Sequence, residues 1–289
     1  MRKTKKLRLL LREKRILVAP GAYDVLSAKM IEQIGFKVVY MTGYGTSATV
    51  LGQPDVGLLT MTEMANRAGR IAQAVKIPVI ADADTGYGNP LNVRRTVMEY
   101  ERAGVSGIQL EDQVFPKKCG HMLGRKIIPT VEMVQKIKAA CEARMDKDFV
   151  IIARTDARTN YGLEEAIARG KAYEEAGADI IFIESPENIS EMKKITDSFS
   201  KTFTLVNMVE GGKTPILSAE ELERLGFSLV IFSAGPLFAA AKGLKDYLNE
   251  LKAKGTTIAK LNNLISFSEF NKFIGLEYYL ELEKRYLAD

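Results

Sequence analysis

The 289-residue chain has no tryptophan, one histidine and two cysteines. Two cysteines form at most one disulfide, which excludes a small secreted scaffold built on several bridges. No apolar run approaches the roughly 18 residues that a membrane-spanning helix needs. We recognise no signal peptide at the N-terminus and therefore expect a cytoplasmic, globular protein without membrane partners.

An excess of positive charge is confined to one segment. The opening MRKTKKLRLLLREKR holds eight of the 41 basic and one of the 36 acidic residues, which leaves 33 basic and 35 acidic residues elsewhere. Basicity is therefore not the property of a nucleic-acid-binding face, and we expect no nucleic-acid partner. The segment could be an amphipathic surface helix, a targeting peptide or a nucleic-acid arm. We favour a basic helix over residues 1–15, because no linker or cleavage region separates it from the first apolar run.

Short apolar runs alternate with longer segments of helical period along the chain. We predict eight strands, near residues 16–23, 36–44, 78–87, 105–113, 149–157, 178–185, 202–209 and 228–234. Strands that alternate with helices pair in parallel through right-handed crossovers. Eight such units in about 220 residues most simply close into a (β/α)8 barrel of the TIM type. A doubly wound open sheet is the alternative.

The chain continues well beyond the eighth predicted strand. We expect a single barrel domain over residues 1–289, with a C-terminal helical extension at 239–289. The stretch SFSEFNKFIGLEYYLELEKRYL in this extension shows a wide apolar stripe. A lone domain would leave part of that stripe exposed to water.

Polar side chains stand where the predicted strands end. The apolar runs end in Tyr23-Asp24, Thr42-Gly43, Asp82 with Asp84, Glu111-Asp112, Arg154 with Asp156, Glu184-Ser185, Asn207 and Ser233. In a (β/α)8 barrel the chemistry lies at this carboxyl face. So many carboxylates at one face repel each other, and a bound cation would offset that repulsion.

Asp82 and Asp84 are two residues apart on a strand, so both side chains point to the same side. Oxygen-only ligands suit Mg²⁺, which keeps several waters and takes other ligands from its substrate. The alternative is that one aspartate caps a helix and the other pairs with a lysine, but Glu111 at the next strand end favours the metal. Arg154 and Asn207 add donors for a carboxylate or an oxyanion. This set is typical of a site that chelates a 2-oxo or 2-hydroxy acid and stabilises an enolate.

The loop FPKKCGHMLGR holds the only histidine and one of the cysteines. Zinc at Cys119 and His121 would lack a third and a fourth ligand. A Cys-His pair two residues apart in an extended loop tends to point apart, which is poor geometry for proton transfer. The residues alone therefore still allow the alternative that Cys119 is a loop cysteine with no chemical role.

Seven motifs together resemble the isocitrate lyase and phosphoenolpyruvate mutase superfamily over essentially the whole chain. They are YMTGYGTSA, GQPD, ADADTGYG, GIQLEDQ, KKCGH, ARTDA and IFIESP. The run lysine-x-cysteine-glycine-histidine after the fourth strand is similar to that of the carbon-carbon lyase branch. The mutase and phosphonate-hydrolase branches carry other residues in place of Cys119.

This resemblance implies a small-molecule dicarboxylate substrate and a Mg²⁺ ion, with Mn²⁺ as a substitute. It places the metal at Asp82 and Asp84, with Glu111 ordering metal-bound water and Asp55 in the same network. The residues that it implies for substrate binding are Thr42, Gly43, Tyr44, Cys119, Gly120, Arg154, Glu184 and Asn207.

The resemblance further implies catalytic roles for Glu111 and for a mobile gating loop that carries Lys117, Cys119 and His121. A base removes the 2-hydroxyl proton, the C2–C3 bond breaks, and electrons pass into a pyruvate enolate held by Mg²⁺. Cys119 then protonates the other fragment. We expect the neighbouring lysines to lower the pKa of its thiol.

The residues after the eighth strand bear on the substrate. Methylisocitrate lyases bind a tricarboxylate and add an arginine here, where this chain has Pro236 in FSAGPLFAAAK. Proline cannot clamp a third carboxylate, which favours 2,3-dimethylmalate, cleaved to pyruvate and propionate. The alternatives are 2-methylisocitrate, giving pyruvate and succinate, and, less favoured, a mutase-type or oxaloacetate-acting enzyme. The resemblance also implies a homotetramer whose C-terminal helices exchange between subunits.

Overall fold

A computed structural model describes residues 1–120, 122 and 124–287. Eight strands pair in parallel in chain order and close into a barrel. They are β1 (Leu17–Ala22), β2 (Val39–Met41), β3 (Val79–Asp82), β4 (Gly107–Glu111), β5 (Val150–Thr155), β6 (Ile180–Ile183), β7 (Phe203–Asn207) and β8 (Leu229–Phe232).

Helices follow the strands around the barrel. They are α1 (Lys3–Leu11), α2 (Val25–Ile34), α3 (Gly43–Leu51), α4 (Met61–Ala74), α5 (Pro90–Ala103), α6 (Thr130–Ala143), α7 (Arg158–Glu175), α8 (Ile189–Ser198), α9 (Ala219–Leu225), α10 (Gly235–Lys254), α11 (Phe267–Ile274) and α12 (Leu276–Tyr286). A short 3₁₀ helix covers Ile258–Asn263.

The (β/α)8 barrel predicted from the sequence is confirmed. Leu17 of β1 lies in register with Leu229 of β8, so the sheet has no open edge, and the open-sheet alternative is wrong. Each strand lies inside its predicted range. The second range was too long at its end, because the Thr42 side chain accepts a hydrogen bond from the backbone of Gly45 and starts α3 there.

Two compact units divide the chain, residues 1–238 and 239–289. In the first unit, α1 contributes Leu7, Leu10 and Leu11 to an apolar cluster with barrel-interior residues such as Ile152. Arg8 pairs with Asp179, just before β6, at 2.7 Å. The helix α1 lies within the predicted segment 1–15, and its Leu7, Leu10 and Leu11 form part of the barrel core.

The second unit contains most of α10, the 3₁₀ helix, α11 and α12. None of these elements buries a described residue. Large apolar side chains are exposed on them, among them Phe267, Leu276 and Tyr279. Over the described residues, no helix combines the length and the apolarity needed to cross a membrane.

Candidate active site

A cavity of about 240 Å³ opens at the carboxyl ends of the strands. Most of the residues that the sequence predicted line it, namely Thr42, Tyr44, Asp55, Asp82, Lys117, Cys119, Gly120, Arg154, Glu184 and Asn207. Three further predicted residues lie directly behind this wall. A Cβ on Gly43 would fall 2.5 Å from Oδ2 of Asp82, and Asp84 and Glu111 lie beside Lys117 and Arg154 respectively. The fold therefore brings these groups together, while His121 lies outside the described residues.

Asp82 and Asp84 are both buried at the end of β3. The backbone N–H of Asp84 donates to Oδ1 of Asp82 at 3.0 Å. The Lys117 ammonium lies 2.8 Å from Oδ1 of Asp84 and 2.7 Å from Oδ1 of Asp55. Burial raises the pKa of Asp84 to about 7, although Lys117 opposes this shift. The lysine therefore supplies the counter-charge that these carboxylates need.

The acidic residues also fit a divalent cation. Within the described part of the chain, no three histidine, cysteine, aspartate or glutamate side chains are arranged to hold a metal by themselves. Magnesium needs few protein ligands, because it keeps several waters and is bound through one or two carboxylates. Oε1 of Glu111 is buried without a hydrogen-bond partner, as expected of an oxygen that accepts from an ordered water. Asp82 and Asp84 could thus hold Mg²⁺ while Glu111 orients its water.

Arg154, at the end of β5, is surrounded by carboxylates. Its Nε and Nη2 donate to the two oxygens of Asp156 at 2.9 and 3.0 Å. Its Nη1 lies 3.1 Å from Glu184, and its Nε lies 3.5 Å from Glu111. Burial lowers the pKa of Arg154, but Asp156, Glu184 and Glu111 together raise it by more than burial lowers it. The net shift of the pKa is therefore upward. The guanidinium stays charged and can bind a substrate carboxylate.

The loop after β4 lies against the cavity. The backbone N–H of Cys119 donates to the carbonyl of Asp55 at 3.1 Å. The Ser185 hydroxyl donates to the carbonyl of Gly120 at 3.2 Å. With Lys117 only 2% exposed, this segment covers the acidic cluster, and it places the half-buried Cys119 in the cavity wall.

The remaining wall is apolar on one side. The rings of Tyr44 and Phe238 meet edge to face with centroids 6.0 Å apart. Met122 and Val209 line the same cavity. Thr42 caps the N-terminus of α3 and Tyr44 lies in its first turn, an end of a helix that favours an anion. The cavity therefore joins an acid-binding end to a small apolar surface.

The sequence analysis missed several lining residues. They are Tyr40, Met122, residues 209–212, Ala234 and Phe238. Tyr40 lies inside an apolar run, which gives no sign of a site residue, yet its hydroxyl donates to Gln109 at 3.1 Å beneath the cavity. Alternation along β2 could have revealed it, since Tyr40 and Thr42 share one side of the strand.

Two carboxylates at strand ends serve other purposes. Asp24 caps α2 by accepting from the backbone N–H of Ser27 at 2.8 Å. Asp112 accepts from Thr155 and from Tyr173, each at 2.7 Å, behind the sheet. The acidic residues therefore do not all face the cavity as their positions at the strand ends suggest.

Comparison with known proteins agrees with this architecture. The phosphoenolpyruvate phosphomutase family model matches residues 7–252. A 2,3-dimethylmalate lyase of Eubacterium barkeri is 57% identical, with 97% of each chain covered. A 2-methylisocitrate lyase of Aeropyrum pernix is 43% identical over 96% of this chain and 88% of its own.

A solved structure of phosphonopyruvate hydrolase in complex with oxalate and Mg²⁺ superimposes with a TM-score of 0.90. It is 34% identical, and the match covers 99% of this chain and all of the other. On this evidence the chain belongs to the phosphoenolpyruvate mutase/isocitrate lyase superfamily, in which it is a carbon-carbon lyase.

Proposed function

We propose that the chain is a Mg²⁺-dependent lyase that cleaves 2,3-dimethylmalate to pyruvate and propionate. The observation that carries this proposal is the apolar wall of Tyr44 and Phe238 in the cavity that also contains Arg154. Pro236, in the first turn of α10 between the lining residues Ala234 and Phe238, carries neither a charge nor an N–H donor. The cavity thus suits a dicarboxylate with methyl groups better than a tricarboxylate. The 57% identity to a 2,3-dimethylmalate lyase supports the same substrate.

Arg154 and the N-terminus of α3 bind the carboxylate next to C2. Ser233 donates to Oδ1 of Asn207 at 2.9 Å, which leaves the Nδ2 group of Asn207 to donate to the second carboxylate. Asp82 and Asp84 would hold Mg²⁺, with Glu111 and Asp55 around them. When bound there, the ion would supply positive charge that favours loss of the 2-hydroxyl proton.

The electron balance fixes which fragment needs a proton. When a carboxylate of the site takes the 2-hydroxyl proton, the oxygen electrons form the carbonyl of pyruvate. The electron pair of the broken C2–C3 bond remains on C3 of the propionate fragment. The enolate is therefore that of propionate, and the pyruvate enolate expected from the sequence is wrong. Cys119, in the cavity wall, gives its thiol proton to C3 and regains one before the next turnover.

A pyruvate-release assay tests this function. We expect 2,3-dimethylmalate to be cleaved with a kcat/KM roughly 100-fold above that for 2-methylisocitrate, whose third carboxylate finds no cation at Pro236. Cys119→Ser abolishes release, whereas Cys141→Ser, on α6, leaves it unchanged. Equal cleavage of both acids would contradict the substrate assignment, and full activity of Cys119→Ser would contradict the role of the thiol.

We also propose a homotetramer in which the C-terminal helices pack on a second copy of the chain. The helices α11 and α12 bury none of their described residues. Exposed side chains such as Phe267 and Leu276 form more apolar surface than a monomer usually leaves in water. Light scattering should give the mass of four chains. The mass of one chain would exclude packing of the C-terminal helices on a second copy.

A further inference from the structure

Arg125 is buried although it does not line the cavity. Its Nη1 lies 2.5 Å from Oδ1 of Asp156, and its Nη2 donates to the hydroxyl of Thr159. Its backbone carbonyl accepts from Asn160 Nδ2 at 2.6 Å. Both the guanidinium and the backbone of this residue are thus fixed to the segment after β5.

Asp156 serves two arginines at once. Its Oδ1 accepts from Arg154 at 3.0 Å and also lies beside Arg125, while its Oδ2 accepts from Arg154 at 2.9 Å. Its backbone N–H donates to Asp112 at 2.9 Å, which fixes the backbone that carries this carboxylate. Burial raises the pKa of Asp156, but Arg154 and then Arg125 outweigh burial and hold the pKa below its usual value. The Asp156 anion therefore links Arg154, which lines the cavity, to Arg125, which lies at the end of the loop.

This sharing affects how strongly Arg154 can attract a substrate. Three carboxylates, Asp156, Glu184 and Glu111, lie within 3.5 Å of its guanidinium. In a buried site each of them competes with a substrate carboxylate for the same positive charge. Arg125 neutralises part of the charge on Asp156, so Arg154 is held in orientation while keeping attraction for an incoming acid.

Arg125 also fixes one end of the loop. Lys117, at the start of the segment, is bound to Asp55 and Asp84, and Arg125, at its end, is bound to Asp156. Gly120, between these two anchors, lies directly against Arg154. The anchor at Arg125 therefore connects the position of the loop with the orientation of the acid-binding arginine.

We propose that Arg125 is a positioning residue for substrate binding, which acts through Asp156 to orient Arg154 beneath the loop. This inference rests on the proposed function only in that Arg154 binds the acid. Arg125 itself touches no substrate.

The test compares wild type with Arg125→Met and Arg125→Lys, using oxalate in the presence of Mg²⁺ as the binding probe. We expect Arg125→Met to raise the oxalate Kd and the substrate KM together by roughly 10-fold to 100-fold, the range found for outer groups that orient metal ligands. Arg125→Lys keeps the charge but not both contacts, so its Kd should lie between the two. If Arg125→Met does not fold, the lysine variant carries the comparison.

Arg144→Met is the matched control, because Arg144 contacts Asp179 at 2.6 Å, just before β6, where the strands begin. It should lower the melting temperature and leave the oxalate Kd unchanged. The proposal is overturned if Arg125→Met binds oxalate like wild type, or if Arg125→Met and Arg144→Met weaken oxalate binding equally. It is also overturned if wild type binds no oxalate. Wild type that binds oxalate but releases no pyruvate refutes the lyase function alone, and the effect of Arg125→Met on Kd still decides the role of Arg125.

Discussion

Gly120 lies so close to Arg154 that a Cβ on it would fall 2.3 Å from Nη2 of the arginine. The same Cβ would fall 2.7 Å from Oε2 of Glu184. Cβ atoms essentially never approach other atoms so closely, so a side chain at position 120 would force the ion-paired side chains of Arg154 and Glu184 to shift. Sterics therefore explain why the KKCGH motif has a glycine at this position, independently of the chemistry of the neighbouring cysteine.

Replacement of Gly120 by alanine should prevent this approach of the loop. We expect kcat/KM to fall by about 100-fold, since a displacement of about 1 Å can have that effect on catalysis. Gly243→Ala is the control, because a Cβ at that helical position has no described atom within 4 Å apart from its chain neighbours and its own helix backbone. Unchanged kinetics of Gly120→Ala would show that the loop does not need this contact.

The N-terminal helix should be essential for stability. Leu7 is completely buried, and Leu9, two residues on, is 45% exposed. Leu7→Ala should lower the free energy of unfolding by about 2–5 kcal/mol, and Leu9→Ala by less than about 0.5 kcal/mol. Denaturant unfolding measures both values. Equal effects would mean that α1 does not pack inside the barrel end.

The two cysteines should differ in their reactivity with iodoacetamide. Burial raises the pKa of Cys141 to about 11, and its thiol donates to the carbonyl of Gly177 at 3.2 Å. Because the thiolate is the nucleophile, Cys141 should remain almost unlabelled below pH 9 and begin to react as the pH approaches 11. Cys119 should be labelled first, with loss of activity and with protection by oxalate. Mass spectrometry that finds Cys141 labelled first at pH 8 would refute this order.

Metal removal should stop the reaction reversibly. EDTA is expected to abolish pyruvate release, and added Mg²⁺ should restore it. Asp84→Asn should raise the Mg²⁺ concentration for half-maximal activity by roughly 10-fold or more. Asp24→Asn, which keeps a good helix cap on α2, should not change it. Full activity in EDTA would exclude a metal-dependent step.

The fold could be predicted from the sequence almost completely. Apolar runs such as VIIART of β5 alternate with helical segments that end in glycine, and this local pattern leaves few topologies open. The roles of residues at the strand ends were harder to predict. Asp24 and Asp112 stand at strand ends like Asp82, but the first caps a helix and the second binds Thr155 and Tyr173.

By itself the sequence determined the barrel, the acidic residues at the end of β3 and the cysteine loop, because each depends on periodicity or on neighbours in the chain. The tertiary structure alone placed Leu7 inside the barrel end, Phe238 against Tyr44, and Arg125 against the carboxylate that holds Arg154. These pairings join residues far apart in the chain. Barrel closure and the need to pair buried charges decide which residues meet. The local sequence pattern indicates neither of these two effects.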